Sequence, residues 1–160
     1  MDRMRWFVAL LAAGPAFADC DPTAVDVRGP FGSVRFDVTV ADEPAERSRG
    51  LMFVEEMAPL EGMLFVFERT GRVSFWMENT LIPLDMLFVG EDGVVRRVHE
   101  NAVPLDRTPI PGGDDIRYVL EINGGTAAEI GITEGAELRH PSITGAFWAC
   151  EAVEADAPSE

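Results

Sequence analysis

Short apolar runs separated by turn-forming residues dominate the chain. Residues Val34 to Val40 alternate between apolar and polar side chains, which is the pattern of a strand with one buried face. The run from Met63 to Phe67 is short and continuously apolar, which is typical of a strand buried on both faces. The same patterns predict further strands over Val73–Asn79, Leu84–Val89, Val94–His99, Tyr118–Ile122 and Ala136–Arg139.

Two short helices and one long loop complete the predicted elements. Asp42 offers an N-cap to a helix that Gly50 ends, and a Gly-rich turn leads into a second helix over Thr126–Glu129. The segment Asn101–Asp115 contains three Pro and two Gly, so we expect a long irregular loop, and such loops often carry function. The pattern predicts an α+β, mostly β fold. We expect a single compact domain with a barrel-like or strongly curved antiparallel or mixed sheet.

The two ends of the chain differ from its middle. Residues 1–18 combine early arginines, a short apolar run and a small-residue cleavage site at Ala18, which is the pattern of a secretory signal peptide. Asp19 before Cys20 disfavours the alternative, a lipoprotein signal. We therefore expect a periplasmic or secreted protein with no membrane span in the mature chain. Its domain covers residues 19–151, and residues 152–160 form an acidic, disordered tail.

The charge of the chain is strongly negative. It has 160 residues, 28 acidic and 13 basic, for a formal net charge of −15, and every basic residue is Arg. Such a surface repels nucleic acid and anionic lipid, so we expect neither as a partner. We expect a monomer.

The two cysteines, Cys20 and Cys150, lie at opposite ends of the predicted domain. In an oxidising compartment an even pair most simply forms one disulfide bond. A thiol metal site would need further ligands nearby, and neither local sequence offers them.

Five sequence blocks together resemble the DUF192 family, a domain of unknown function. They are ERSRGLM, LEGMLFVFE, VSFWMENTLIPLDMLFV, DGVVRRVHENAVP and YVLEINGGTAAEIGITEGAEL, and they span residues 46–138. The resemblance implies a fold and export from the cytoplasm, and it implies no particular reaction.

The stretch FWMENTLIPLD combines bulky apolar residues with polar ones. As a strand it would place Met77 and Asn79 on the core face and Trp76 and Thr80 on a half-polar face. Trp76 could stack on a ligand or, as we favour, pack beneath the long loop. Asn79 and Thr80 could bond to the backbone of their own turn without any ligand.

Two carboxylates are predicted to lie in apolar surroundings. Asp85 alternates with core positions and needs a cation or several donors, for which Arg47 and Arg49 are the candidates. A structural ion pair is the favoured interpretation. Glu121 lies between Leu120 and Ile122, so Asp85 and Glu121 could form an acid/base pair in a hydrolase.

Metal binding is the remaining alternative. Soft thioether ligands suit Cu(I), and Met77 beside His99 could contribute to such a site. Met is also ordinary core filler, so we favour packing and expect no metal and no cofactor. No nucleotide-binding, zinc-protease or serine-hydrolase motif is present.

These patterns favour a non-catalytic binding module of the cell envelope over the hydrolase and over the Cu(I)-binding protein. The partner would be a small molecule or an envelope protein. The predicted binding residues are Arg47, Arg49, Trp76, Asn79, Thr80 and Asp85.

Overall fold

A computed structural model describes residues 20–150 of the chain, which form a seven-stranded sheet and two short helices. In chain order the elements are β1 Ala24–Gly29, β2 Gly32–Ala41, α1 Pro44–Arg49, β3 Glu61–Phe75, β4 Leu84–Val89, β5 Val95–Ala102, β6 Ile110–Asn123, α2 Thr126–Ile130 and β7 Glu137–Arg139. The strand order is β5-β4-β6-β3-β2-β1-β7, and among these seven strands of the described region only β2 and β3 pair in parallel.

The sheet curls until its two outer strands approach each other. Val94, just before β5, forms an antiparallel bridge with Glu137 of β7. The amide of Leu138 donates to the carbonyl of Gly93 at 2.8 Å, and the amide of Val95 donates to the carbonyl of Ala136 at 2.8 Å. The predicted fold class, a mostly β domain with a strongly curved sheet and two short helices, is confirmed.

Two hydrophobic cores lie on opposite faces of the sheet. Successive residues of a strand point to opposite faces, so Leu120 belongs to one core and Val119 to the other. The first core lies inside the curl and joins residues of β1, β4, β6 and β7. The second core packs against the segment that follows α1, with Phe65, Met77 and Phe88 among its buried residues.

The predicted long loop is shorter than expected. β5 continues to Ala102 and β6 begins at Ile110, so the irregular segment covers only residues 103–109. The prediction was wrong for residues 110–115, because Pro and Gly usually indicate a loop. Here they occupy an irregular part of β6 that pairs with the end of β3 across register shifts. A β-carbon on Gly112 would lie 2.1 Å from the Phe88 ring, so close packing requires glycine there.

The predicted strand over residues 73–79 is also partly wrong. β3 runs without interruption from Glu61 and ends at Phe75. After it the amide of Met77 donates to the carbonyl of Asp106 at 2.8 Å, and Asn79 has a φ of 53°, which ends the extended conformation. β1 was not predicted from the sequence, and the N-cap of α1 is Glu43 and not the predicted Asp42.

The predicted signal peptide and acidic tail lie outside residues 20–150, which the structure describes. Among the described residues, neither helix has the length and hydrophobicity that a membrane crossing would require.

The predicted disulfide bond is present between Cys20 and Cys150. Their α-carbons are 5.6 Å apart, and the bond joins residues separated by 130 positions. It ties the segment before β1 to the segment after β7.

Replacing both cysteines by serine is expected to lower the free energy of unfolding by about 2 to 4 kcal/mol, because the bond restricts the unfolded chain over a long loop. Urea unfolding of the oxidised protein and of the double variant measures the difference. Adding a reductant should shift the midpoint of the oxidised protein only. Equal midpoints for the two proteins would show that the bond contributes no stability.

Candidate functional site

Asp85 is a buried structural carboxylate that binds the backbone. Its Oδ1 accepts hydrogen bonds from the amides of Asn101 at 2.8 Å and Gly125 at 2.9 Å, and its Oδ2 accepts one from Ala127 at 2.8 Å. Asp85 thereby joins β4 to the end of β5 and to the beginning of α2. The prediction that Arg47 or Arg49 would be its partner is wrong, because backbone donors already satisfy both oxygens.

The predicted acid/base pair of Asp85 and Glu121 is also wrong. In the β4–β6 ladder Asp85 lies opposite Ile122, whereas Glu121 lies opposite Met86. Paired residues share a face and successive residues alternate, so the two carboxylates point to opposite faces of the sheet. A common substrate could not contact both.

Glu121 is the unusual group of the second face. Glu121 is 4% exposed, and its carboxyl has no hydrogen-bond or ion-pair partner among residues 20–150. Burial raises the pKa of its carboxyl from the ordinary 4.5 to about 8. A buried carboxyl without partners is costly to keep ionised, which makes it a candidate for function.

A small cleft gives access to Glu121, and we call it the Glu121 cleft. Its volume is about 40 Å³, and its walls include Arg49, Phe65, Trp76 and Thr80. This volume is enough for a few water molecules or one small functional group. Thus four of the six predicted binding residues line the same cleft, whereas Asn79 and Asp85 do not. The four are Arg47, Arg49, Trp76 and Thr80.

The helix α1 and the turn after it form one wall of the cleft. Pro44 begins the helix, and Glu43 and Glu46 form a capping box around its first turn. Gly50 then has a φ of 49°, where a side chain would be strained and would approach the Phe65 ring. This tight turn brings Leu51 beneath the helix, where it joins the second core.

The two arginines of α1 have different surroundings. Arg47 is held by the carbonyls of Val66, at 2.9 Å, and Asp42, and its guanidinium lies 5.6 Å from the centre of the Phe67 ring. Arg49 is exposed and has no polar partner among residues 20–150. Arg47 therefore anchors α1 to β3, while the guanidinium of Arg49 lies at the cleft without an intramolecular partner among residues 20–150.

The opposite wall belongs to the turn after β3. Trp76 is 44% exposed, and the guanidinium of Arg107 lies 5.6 Å from its ring centre. Arg107 belongs to the 103–109 loop, so the expected cover from that loop is only partial. Thr80 is buried and its hydroxyl donates to the carbonyl of Glu78 at 3.3 Å. The side-chain Nδ2 of Asn79 lies 4.0 Å from the sulfur of Met52.

The two residues considered as Cu(I) ligands, Met77 and His99, line a different cleft. Met77 is fully buried in the second core and His99 is half-buried in β5, and both line a cavity beside the 103–109 loop. Within residues 20–150 there is no group of three or more His, Cys, Asp or Glu residues that could hold a metal ion.

Several lining residues were not predicted from the sequence. They are Ser48, Gly50, Leu51, Met52, Phe65 and Phe75. Polar residues among apolar neighbours can be recognised in a sequence. The apolar residues of the cleft wall have the same pattern as ordinary core residues, so the sequence did not identify them.

Residues 20–150 thus form a small domain with a curled sheet and, beneath α1, a carboxyl without a partner among these residues. Residues 26–140 match the profile of DUF192, described as "Uncharacterized ACR". This match covers most of the chain, so the chain belongs to the DUF192 family.

Two solved structures are similar to this chain over most of their own lengths. A protein of unknown function from Novosphingobium aromaticivorans DSM 12444 is 40% identical with a TM-score of 0.71, and the match covers 84% of this chain and 99% of that one. A Sinorhizobium meliloti 1021 protein named "putative transcription regulator" is also 40% identical with a TM-score of 0.71, covering 77% and 96%. No curated protein matches the chain.

Proposed function

We propose that this protein is an exported, non-catalytic binding module of the cell envelope, and that the Glu121 cleft holds a cationic amine of its ligand. The observation that supports this proposal is the buried Glu121 carboxyl, which lacks a partner among residues 20–150 and lines a cleft. Export is supported by the pattern of residues 1–18, and the Cys20–Cys150 bond suits an oxidising compartment.

An amine is the ligand group that best satisfies this carboxyl. At neutral pH burial keeps Glu121 mostly protonated, because its pKa is about 8. An ammonium entering the cleft supplies a positive charge, so the carboxyl releases its proton to water and an ion pair forms. The charged residues that line the cleft around Glu121 are Arg47 and Arg49, and neither contributes to its raised pKa.

Binding without catalysis is supported by the composition of the cleft. Among the described residues that line it, Glu121 is the one acid, and there is no His or Cys. The hydroxyl of Ser48 donates to the carbonyl of Pro44 at 2.8 Å, so it is engaged within the helix. A second group that could exchange a proton with a reacting atom is therefore missing from the lining.

Binding to nucleic acid, as the name of the Sinorhizobium meliloti protein suggests for that protein, is not favoured for this chain. A net charge of −15 opposes binding to nucleic acid, whose phosphates attract clusters of Lys and Arg. Several arginines of this chain also form ion pairs with its own acids, including Arg28 with Glu137 and Arg72 with Asp114.

Titration with n-butylamine, which is predominantly an ammonium ion between pH 6 and pH 9, tests whether the cleft binds an amine. We expect binding that weakens about tenfold for each pH unit below 8 and becomes nearly constant above it, because the carboxylate must form first. Calorimetry between pH 6 and pH 9 measures this dependence.

The variant Glu121→Gln should lose this binding at every pH, since the amide has the same shape and no charge. The matched control Glu129→Gln, which changes an exposed residue of α2, should bind like the natural protein. Absence of binding at pH 9, or equal binding by Glu121→Gln, would contradict the proposed function.

A further inference from the structure

A group of exposed apolar side chains surrounds the turn that forms one wall of the Glu121 cleft. We call it the rim patch and define it as Phe53, Trp76, Leu81, Val103 and Leu105. These residues are 63%, 44%, 42%, 61% and 59% exposed, respectively. Single exposed apolar residues are common on protein surfaces, whereas several on neighbouring segments favour an interaction surface.

Backbone hydrogen bonds hold the segments of the rim patch together. The amide of Phe53 donates to the carbonyl of Asn79 at 2.8 Å, and the amide of Leu105 donates to the carbonyl of Thr80 at 3.1 Å. The turn at Asn79 and Thr80 therefore lies between the two outer segments. Thr80 also lines the Glu121 cleft, so the patch and the cleft form one continuous surface.

Two residues of the rim patch have an unfavourable backbone conformation. Phe53 has a φ of 66° and Leu105 a φ of 63°, in the left-handed region where bulky residues are rare. Glycine or asparagine would satisfy either turn with less strain. The structure instead presents a large apolar side chain to solvent at both strained positions, which favours a role in contact with a partner.

We propose that the partner of this site is a protein that packs apolar residues on the rim patch and inserts a lysine side chain into the cleft against Glu121. This inference rests on the proposed function, because it specifies what carries the amine. It also accounts for the rim patch, which a small amine alone would leave uncovered.

The size of the cleft favours lysine as the inserted residue. A volume of about 40 Å³ accepts an ammonium group and little more, so the rest of the ligand must lie outside. Lysine has a thin, flexible stem with a compact charge at its end, whereas the planar guanidinium of arginine is wider. The apolar surface around the mouth can then pack against the residues that flank the lysine.

The net negative charge of this chain also favours a basic partner. A chain with a net charge of −15 attracts basic proteins and repels acidic ones. It contains no lysine, so a second copy of the chain could not supply the inserted side chain. The partner is therefore a different protein with an exposed lysine between apolar residues.

Three defined probes test this inference with the full chain. They are n-butylamine, the peptide acetyl-Leu-Lys-Leu-amide, and the same peptide with norleucine in place of lysine. At pH 8 we expect the lysine peptide to bind at least tenfold more tightly than n-butylamine, because its leucines cover part of the rim patch. The norleucine peptide should bind at least tenfold more weakly than the lysine peptide, because it lacks the ammonium.

Variants separate the two parts of the surface. Phe53→Ser and Leu105→Ser should bind n-butylamine like the natural protein and lose the tenfold preference for the lysine peptide. Phe147→Ser is the matched control, since Phe147 is 74% exposed but lies outside the patch, where its amide donates to the carbonyl of Asp92. It should retain the preference. Glu121→Gln should bind neither amine.

The outcomes distinguish the two proposals. If n-butylamine binds at Glu121 and the lysine peptide binds no more tightly, the protein-docking inference is wrong and the proposed function stands. If the norleucine and lysine peptides bind equally, insertion of lysine is wrong. If no amine binds the natural protein, the proposed function fails and the docking inference fails with it.

Discussion

Replacing Asp85 by alanine is expected to lower the free energy of unfolding by about 5 kcal/mol. The carboxylate accepts the amides of Asn101, Gly125 and Ala127, and the substitution leaves all three without this partner. A buried amide without a partner costs about 1 to 3 kcal/mol. Asp85→Asn should cost less, because one amide oxygen can still accept, although its NH₂ group must face a backbone donor.

Urea unfolding followed by circular dichroism measures both variants. The matched control is Asp106→Ala, because the Asp106 carboxylate also accepts a backbone amide, that of Thr108 at 2.9 Å, but is exposed. Its loss of stability should be much smaller, since water can replace the exposed acceptor. If Asp85→Ala cost no more than Asp106→Ala, Asp85 would not be the structural link described above.

Replacing Glu121 by glutamine is expected to stabilise the protein at alkaline pH by up to about 5 kcal/mol. The pKa of this carboxyl is about 8 in the folded protein and 4.5 as the ordinary value. Between these values the folded protein retains a proton that the unfolded chain has lost. The resulting loss of unfolding free energy grows by about 1.4 kcal/mol per pH unit and becomes constant above pH 8. Glutamine keeps the shape, never ionises and removes this cost.

The comparison requires unfolding midpoints of the natural protein and of Glu121→Gln at pH 5, 7 and 9. We expect nearly equal stability at pH 5 and a widening advantage of the variant as the pH rises. Glu129→Gln again serves as the control, with a pH profile parallel to that of the natural protein. Parallel profiles for Glu121→Gln would mean that the carboxyl is hydrated or paired in solution. A variant that is more stable and yet binds no amine would show that stability is lost at this position to permit binding.

Most of the sheet could be predicted from the sequence because its strands have simple patterns. The continuous apolar run at Leu84–Val89 matches β4 at both ends, and the alternation at Val34–Val40 lies within β2. The predictions failed where long-range pairing overrides local preference. Pro111 and Gly112 are in a strand because the end of β3 pairs with Pro111 and Gly113, on either side of Gly112. The Phe88 ring fills the space where a side chain at Gly112 would lie.

The burial of the two carboxylates of the candidate site could be predicted from the sequence, but their partners and their relative positions could not. Apolar neighbours correctly placed both Asp85 and Glu121 in the interior. The partners of Asp85 are backbone amides, which every residue except proline carries, so the sequence pattern could not identify them. Placing the two carboxylates on opposite faces required the register between β4 and β6. That register depends on the whole sheet and not on either strand alone.

The pairing of β1 with β7 has a consequence for the order of folding. These are the first and last strands of the described domain, and Arg139 of β7 binds the Asp26 carboxylate of β1 at 2.8 Å. During synthesis β1 emerges more than a hundred residues before the strand that pairs with its outer edge, so the sheet cannot be completed until nearly the whole domain is available. Contacts between such distant segments slow folding, and until then the edge of β1 remains open to chaperones.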